Sequence, residues 1–243
     1  MSINIFEHIY IINLPTRTDR RVEMEQQLRR IGLSLESPNI ELFPAVRPAA
    51  AAGFPSIGAR GCFMSHLGIL ENARQRGFKS ILILEDDFDF SRDFKRRFEG
   101  IEEHLQQNTW DLFYGGALNA LDAAQLSGAD AVPAIHPSAG IMGSHCIGVT
   151  QKGIAQLVPY FEAILARPAG HAEGGPMHVD GAYSWFRSQH PAMVTLIAHP
   201  EIGHQRSSAT DIHPQKWYER SVLTGPVVSL ARKLKNRAAA LGV

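Results

Sequence analysis

The feature that most constrains this chain is the run Ile81-Leu82-Ile83-Leu84-Glu85-Asp86-Asp87-Phe88-Asp89, in which four branched apolar residues lead into four carboxylates within five positions. Without period-2 alternation, the apolar half reads as a strand buried on both faces, which belongs to an α/β sandwich rather than a one-sided sheet. Charge at the end of a buried strand is costly unless it is paired or metal-bound. Ligands of open α/β sheets gather beyond the carboxyl ends of the strands. Two readings follow. The acids either hold a hard cation such as Mg²⁺ or Mn²⁺ and through it a phosphate, or they form a solvated turn leading to a helix capped by Ser91.

The rest of the chain alternates strand-like and helix-like segments. His8 to Leu14 reads as a first strand, and Thr18 or Asp19 caps a helix to about Ile31 with Val22, Leu28 and Ile31 inward and Gly32 as its stop. Glu36 to Pro55 is irregular around a short strand at Leu42-Phe43. Gly61 to Arg76 is helical, with Gly77 ending it. Phe94, Phe98, Ile101 and Leu105 keep helical spacing after the acidic run. Trp110–Tyr114, His145–Val149 and Met193–Ala198 are further strands, and Lys152–Phe161 and a segment starting near Asp180 are helices. This order predicts an α/β fold with a mainly parallel sheet. Two Ala/Gly/Pro-rich loops, 118–140 and 167–176, are expected to cover a substrate.

Composition narrows the partners. At 243 residues, 44% hydrophobic and 20% charged, the chain has ample core for one large domain. Its formal net charge of zero provides no global field for nucleic acid. Cys62 and Cys146 have neither disulfide-framework nor metal-ligand spacing and read as small apolar residues in a reducing compartment. No secretory signal and no run of roughly 20 apolar residues is apparent, so the expectation is a cytoplasmic protein. The tail from Lys216 carries six basic residues against one acid beside a helical apolar stripe. It is either a terminal helix packed on its domain or a peripheral membrane contact.

Two more clusters border the acidic run. Asn13-Leu14-Pro15-Thr16-Arg17-Thr18-Asp19-Arg20-Arg21 could meet a nucleotide diphosphate at a helix start, or be an ordinary capped turn. Gly61-Cys62-Phe63-Met64-Ser65-His66 could approach a ligand, or His66 could be a satisfied core histidine. In order, these motifs, then Glu85-Asp86-Asp87, Ser144-His145-Cys146-Ile147-Gly148-Val149, Val179-Asp180 and Pro200 through Asp211-Ile212, resemble glycosyltransferase family 25, the lipopolysaccharide-type family that includes collagen galactosyltransferases.

The resemblance covers roughly residues 8–212. It implies a GT-A-like, Rossmann-type nucleotide-sugar-binding domain over 1–212, with 213–243 as a basic helical extension. It further implies a UDP-sugar donor, usually UDP-galactose, a divalent cation, and a saccharide or glycolipid acceptor such as lipopolysaccharide. Carried over to this chain, Asp87 binds the metal, with Asp89 as the alternative register. Glu85 or Asp86 addresses the ribose, and Asn13, Leu14, Arg17, Asp19, Arg20, Ser65 and His66 bind the donor. Asp180 is the base of an inverting transfer, with a helix N-cap as its plain alternative. Arg17, Arg20 or Arg60 could supplement the cation, and His199 or His204 could complete its shell. Loops 117–140 and 162–176 depart from the family pattern and leave the acceptor open. The competing readings are a catalytically silent sugar-nucleotide binder, a haloacid-dehalogenase-type phosphatase using Asp87-Phe88-Asp89, and a nucleic-acid binder through the tail.

Overall fold

The computed structural model describes residues 3–128 and 131–206. The proposed C-terminal extension and Asp211-Ile212 therefore lie outside the described residues. In chain order the elements are β1 (His8–Asn13), α1 (Thr18–Ile31), β2 (Ile40–Pro44), α2 (Ile57–Arg76), β3 (Ser80–Glu85), β4 (Phe88–Phe90), α3 (Phe94–Gln107), β5 (Leu112–Tyr114), β6 (Leu126–Ser127), β7 (Ala134–Ile135), β8 (Cys146–Thr150), α4 (Gln151–Ala166), α5 (Val179–Gln189), β9 (Thr195–Ile197) and β10 (Gly203–Gln205).

Eight strands form one sheet in the order β2-β1-β3-β8-β5-β9-β7-β6. Following the pairings from edge to edge, six strands point one way and only β8 and β7 run against them. Most strands thus share one direction, and the helices on the two faces make the expected α/β sandwich. The apolar run owes its continuity to burial on both sides. Ile81 and Ile83 join the layer of α2, α4 and α5, with Phe63, Leu67, Phe161 and Tyr183. Leu82 and Leu84 join the layer of α1 and α3, with Leu28, Phe94, Phe98 and Ile101. Full burial of each such side chain contributes on the order of 2 kcal/mol.

Local details correct several expectations. In α1 Val22 is 59% exposed and Met24 is buried in its place. The N-cap of α1 is Arg17 and that of α3 is Asp93, neither with a side-chain capping bond, so Thr18, Asp19 and Ser91 do not cap. Helix α2 begins a turn earlier than Gly61, where Ser56 accepts from the Ala59 amide. The stretch 118–140 is not one loop, because β6 and β7 pair within it. Phe88-Asp89-Phe90 is itself a strand, paired antiparallel with β10. Apolar-polar-apolar alternation was its only local signal, too short to read alone, and its partner lies over 100 positions away.

Candidate functional site

Strands β1 and β3 end side by side, with Ile12 opposite Glu85. Beyond them opens a cavity of about 680 Å³ walled by the starts of α1, α2 and α5, the segment that follows β2, and Gln205 and Arg206 at the end of β10. That volume falls in the range that takes a small organic ligand. Of the expected site residues, Leu14, Arg20, Ser65, Glu85, Asp86, Asp87 and Asp180 line it.

The three adjacent carboxylates have different surroundings. Asp86, 5% exposed, accepts from Arg20 Nη1 at 2.6 Å and from Asn13 Nδ2 at 2.7 Å. Asn13 thus sits behind the wall as a strut for Asp86. Glu85 accepts from the Ser144 hydroxyl at 2.7 Å and faces His66 Nε2 at 3.9 Å. Burial pushes its carboxyl up, but His66, Ser144 and His145 more than offset this and hold it below the usual range. Burial also pushes the imidazole of His145 down and favours its neutral form.

Asp87 is the least compensated of the three. It is 6% exposed, its Oδ1 is buried without a hydrogen-bond partner among the described residues, and Oδ2 has Gln205 Nε2 and Arg20 Nη1 each at 3.4 Å. Burial first, and then the charge of Glu85, raise it to about 7, against the pull of Arg20. A buried carboxylate oxygen with no donor, facing a polar cavity, suits a hard cation. The residues present therefore fit a divalent ion on Asp87.

On the α5 side, Asp180 Oδ2 accepts from the Gly143 amide at 3.1 Å and Oδ1 from the Gly181 amide at 2.8 Å. The N-cap of α5 is His178, so the capping alternative for Asp180 does not hold. Both carboxylate oxygens are oriented by backbone, and Gly143 reaches this position at φ +94°, where glycine is favoured.

Other expected residues are placed elsewhere. Asp89 alternates out of the cavity lining between Phe88 and Phe90 and pairs with Arg206, whose Nε lies 3.0 Å away. This splits Asp87 from Asp89 and disfavours both the Asp89 metal register and the phosphatase reading, which need the pair to converge. Arg17 and Asp19 pair with each other at 2.9 Å outside the lining, because they ride the exposed first turn of α1. Arg60 bonds the Ala50 carbonyl. His66 lies fully buried below the floor, with Nδ1 on the Tyr183 hydroxyl at 3.2 Å. The Ser65 hydroxyl serves Val46 N and Gly61 O, bracing the wall. His199 is exposed, and His204 sits opposite Asp89 in β10 rather than on the cavity.

Sequence reasoning missed Ser144, His178, Gln205 and Arg206, all of which line the cavity. The amide of Arg206 donates to the Asp87 carbonyl at 2.7 Å, so β10 anchors the acidic turn. Ser144 stands within a motif noted in the sequence. Gln205 and Arg206 stand within the noted stretch 200–212, but nothing local singled them out, and the β4–β10 pairing brings them in. Of loop 167–176 no residue lines the cavity, whereas Leu118 lines it from the other loop and Gly143 from just beyond that loop.

Comparison with known proteins finds a likeness to the same family over part of the chain. The sequence model of glycosyltransferase family 25 (LPS biosynthesis protein) matches residues 39–121. A glycosyltransferase 25 family member of Anopheles gambiae is 34% identical over 131 residues, 45% of this chain and 21% of that protein. Procollagen galactosyltransferase 1 of Danio rerio is 32% identical over 129 residues, 46% of this chain and 21% of its own length. The inactive glycosyltransferase 25 family member 3 of Mus musculus is 29% identical over 129 residues, 46% and 22% respectively. The chain thus spans about a fifth of the length of these relatives. Among solved structures, the mannose-1-phosphate geranyltransferase of Thermus thermophilus aligns over 79% of this chain and 73% of its own at TM-score 0.42 and 11% identity. Over this segment the chain is similar to glycosyltransferase family 25.

Proposed function

We propose that the cavity binds a UDP-sugar and transfers the sugar, galactose or a related hexose, to a saccharide acceptor. The observation that carries this reading is Asp87, a buried carboxylate with one oxygen unpartnered among the described residues, on the same cavity as Arg20 and Asp180. Asp87 would hold Mn²⁺ or Mg²⁺, which when bound supplies Lewis-acid stabilisation of the departing diphosphate.

The chain's own residues do the rest. Asp86 and Asn13 fix the Arg20 guanidinium at the cavity wall, where it meets phosphate charge. Glu85, pinned by Ser144, would address a ribose hydroxyl. Asp180, oriented by two backbone amides, accepts the acceptor's hydroxyl proton as that oxygen bonds the anomeric carbon. The bond from that carbon to the diphosphate breaks in the same displacement, which inverts the centre. A galactosyl donor is favoured because relatives are procollagen galactosyltransferases. The matched family's description supports a lipopolysaccharide-type saccharide or glycolipid acceptor. Cytoplasmic placement, with peripheral membrane contact through the basic tail, completes the proposal.

Turnover of a panel of UDP-sugars with Mn²⁺ tests it in wild type, Asp87→Asn and Asp180→Asn. Undiminished turnover in Asp87→Asn removes the cation assignment, and near-normal rates in Asp180→Asn remove the base. A second reading, a catalytically silent nucleotide-sugar binder, is favoured by relatives named inactive. UDP binding without transfer to any acceptor extract would select it.

A further inference from the structure

One turn of α2 carries Cys62 and His66, four residues apart and so on one helix face. That face meets the end of β3. Cys62 Sγ lies 4.0 Å from Glu85 Oε1, and His66 Nε2 lies 3.9 Å from the same oxygen. One donor atom from each of the three residues lies within 4.8 Å of the other two. Tetrahedral zinc, with bonds of about 2.0–2.3 Å, holds such donors about 3.3–3.6 Å apart. Closing the cluster onto an ion therefore needs shifts of at most about 1 Å, within the reach of Cys62 and Glu85 side-chain rotation.

A separate observation points to a ligand at the same spot. His66 is 0% exposed, and its Nδ1 is engaged by the Tyr183 hydroxyl at 3.2 Å. Its Nε2 is buried without a hydrogen-bond partner among the described residues, facing the gap beside Glu85 and Cys62. A satisfied core histidine would not leave that nitrogen bare, because an unmade buried hydrogen bond costs about 1–3 kcal/mol. A hydroxyl on the far ring nitrogen, fixing the ring and leaving the near one open, is the arrangement outer partners give to a ligating histidine. Cys62 and Glu85 both border the cavity, so an ion has a way in and a fourth position open to water.

We infer that Cys62, His66 and Glu85 form a binding site for a thiophilic divalent cation, with zinc as the biological member of that class. Thiolate and imidazole select zinc over the hard cations that suit Asp87. On binding, the Cys62 thiol gives its proton to solvent as the sulfur–metal bond forms. Thiolate and carboxylate then neutralise the ion's two charges. Occupancy also ties down Glu85. One consequence rests on the function proposed above: zinc competes with the nucleotide-sugar and inhibits transfer.

Cobalt(II) is the probe, titrated into the tag-free, metal-stripped chain at neutral pH. The expected result is one equivalent bound with a thiolate-to-cobalt charge-transfer band that zinc displaces. Cys62→Ser abolishes the band, and Cys146→Ser retains it. Glu85→Gln weakens binding by about tenfold or more, at least what loss of an outer partner brings. In parallel, zinc slows alkylation of Cys62, read by mass spectrometry, in the wild type but not in Glu85→Gln, which keeps the reading testable if one variant folds poorly. A wild type without the band, a band that survives Cys62→Ser, or a Cys62 that zinc leaves unprotected overturns the inference. None of these readouts needs transferase activity, so a silent chain would leave the zinc site standing and a failed zinc site would leave the transferase reading standing.

Discussion

Asp87→Asn should make the metal-free protein more stable at pH 8 while removing its response to divalent cations. In the folded chain Asp87 holds its proton to about pH 7, whereas the ordinary carboxyl releases it near 3.8. A gap of about three pH units is worth on the order of 4 kcal/mol against the ionised form. The sign follows from linkage. The folded pKa is raised, so the associated stability is complete below about pH 4 and is lost as pH rises through 7. Asparagine keeps the volume and cannot ionise, and the value of about 7 already includes the attraction of Arg20 at 3.4 Å. The expected gain at pH 8 is therefore of the same order, about 4 kcal/mol, with a Tm rise of about 8–16 °C for a chain of this size. The assay is thermal unfolding in chelator at pH 4 and pH 8, with and without Mn²⁺. The variant should match wild type at pH 4, exceed it at pH 8, and fail to gain from Mn²⁺, which at one hundred times its Kd lifts the wild type by about 2.7 kcal/mol. A variant that melts at or below wild type at pH 8 refutes the account of Asp87 as an uncompensated buried charge.

Other outcomes follow from the same geometry. Arg20→Leu strands Asp86 and Asp87, which it pairs at 2.6 and 3.4 Å, and should cost about 3–5 kcal/mol in chemical denaturation at neutral pH. Gly203→Ala places a Cβ 2.2 Å from the Phe88 ring and 2.5 Å from the Asp89 carbonyl. It should cost about 1–3 kcal/mol and weaken nucleotide binding by loosening Gln205 and Arg206, measured by denaturation and UDP titration. Asp180→Asn should lower sugar transfer about 10²–10⁴-fold while leaving UDP affinity near wild type, as befits a group that moves a proton rather than binds the donor.

Much of the fold was legible because burial on both faces leaves a mark in sequence. Ile81–Leu84, the aromatic stripe of α3 and the glycine stops at Gly32 and Gly77 each followed from local periodicity or backbone chemistry. Val22 failed because its apolar character suggested burial, whereas the tertiary packing of α1 buries Met24 and leaves Val22 outside. The β4–β10 pair was invisible because each strand is three residues long and its ladder joins Phe88–Phe90 to Gly203–Gln205.

The sequence by itself determined that an acidic cluster stands at the mouth of a doubly buried strand, among motifs whose order resembles glycosyltransferase family 25. Only the tertiary structure decided which acid is uncompensated. Side-chain charge is local, but desolvation and counter-charge are not. Arg20 and Asn13 reach Asp86 from α1 and β1, and Ser144 reaches Glu85 from just before β8, while Arg206 takes Asp89 from beyond β10. Asp87 has Gln205 and Arg20 only at 3.4 Å from one oxygen, and among the described residues its other oxygen is buried without a hydrogen-bond partner, a fact that no stretch of neighbouring residues encodes.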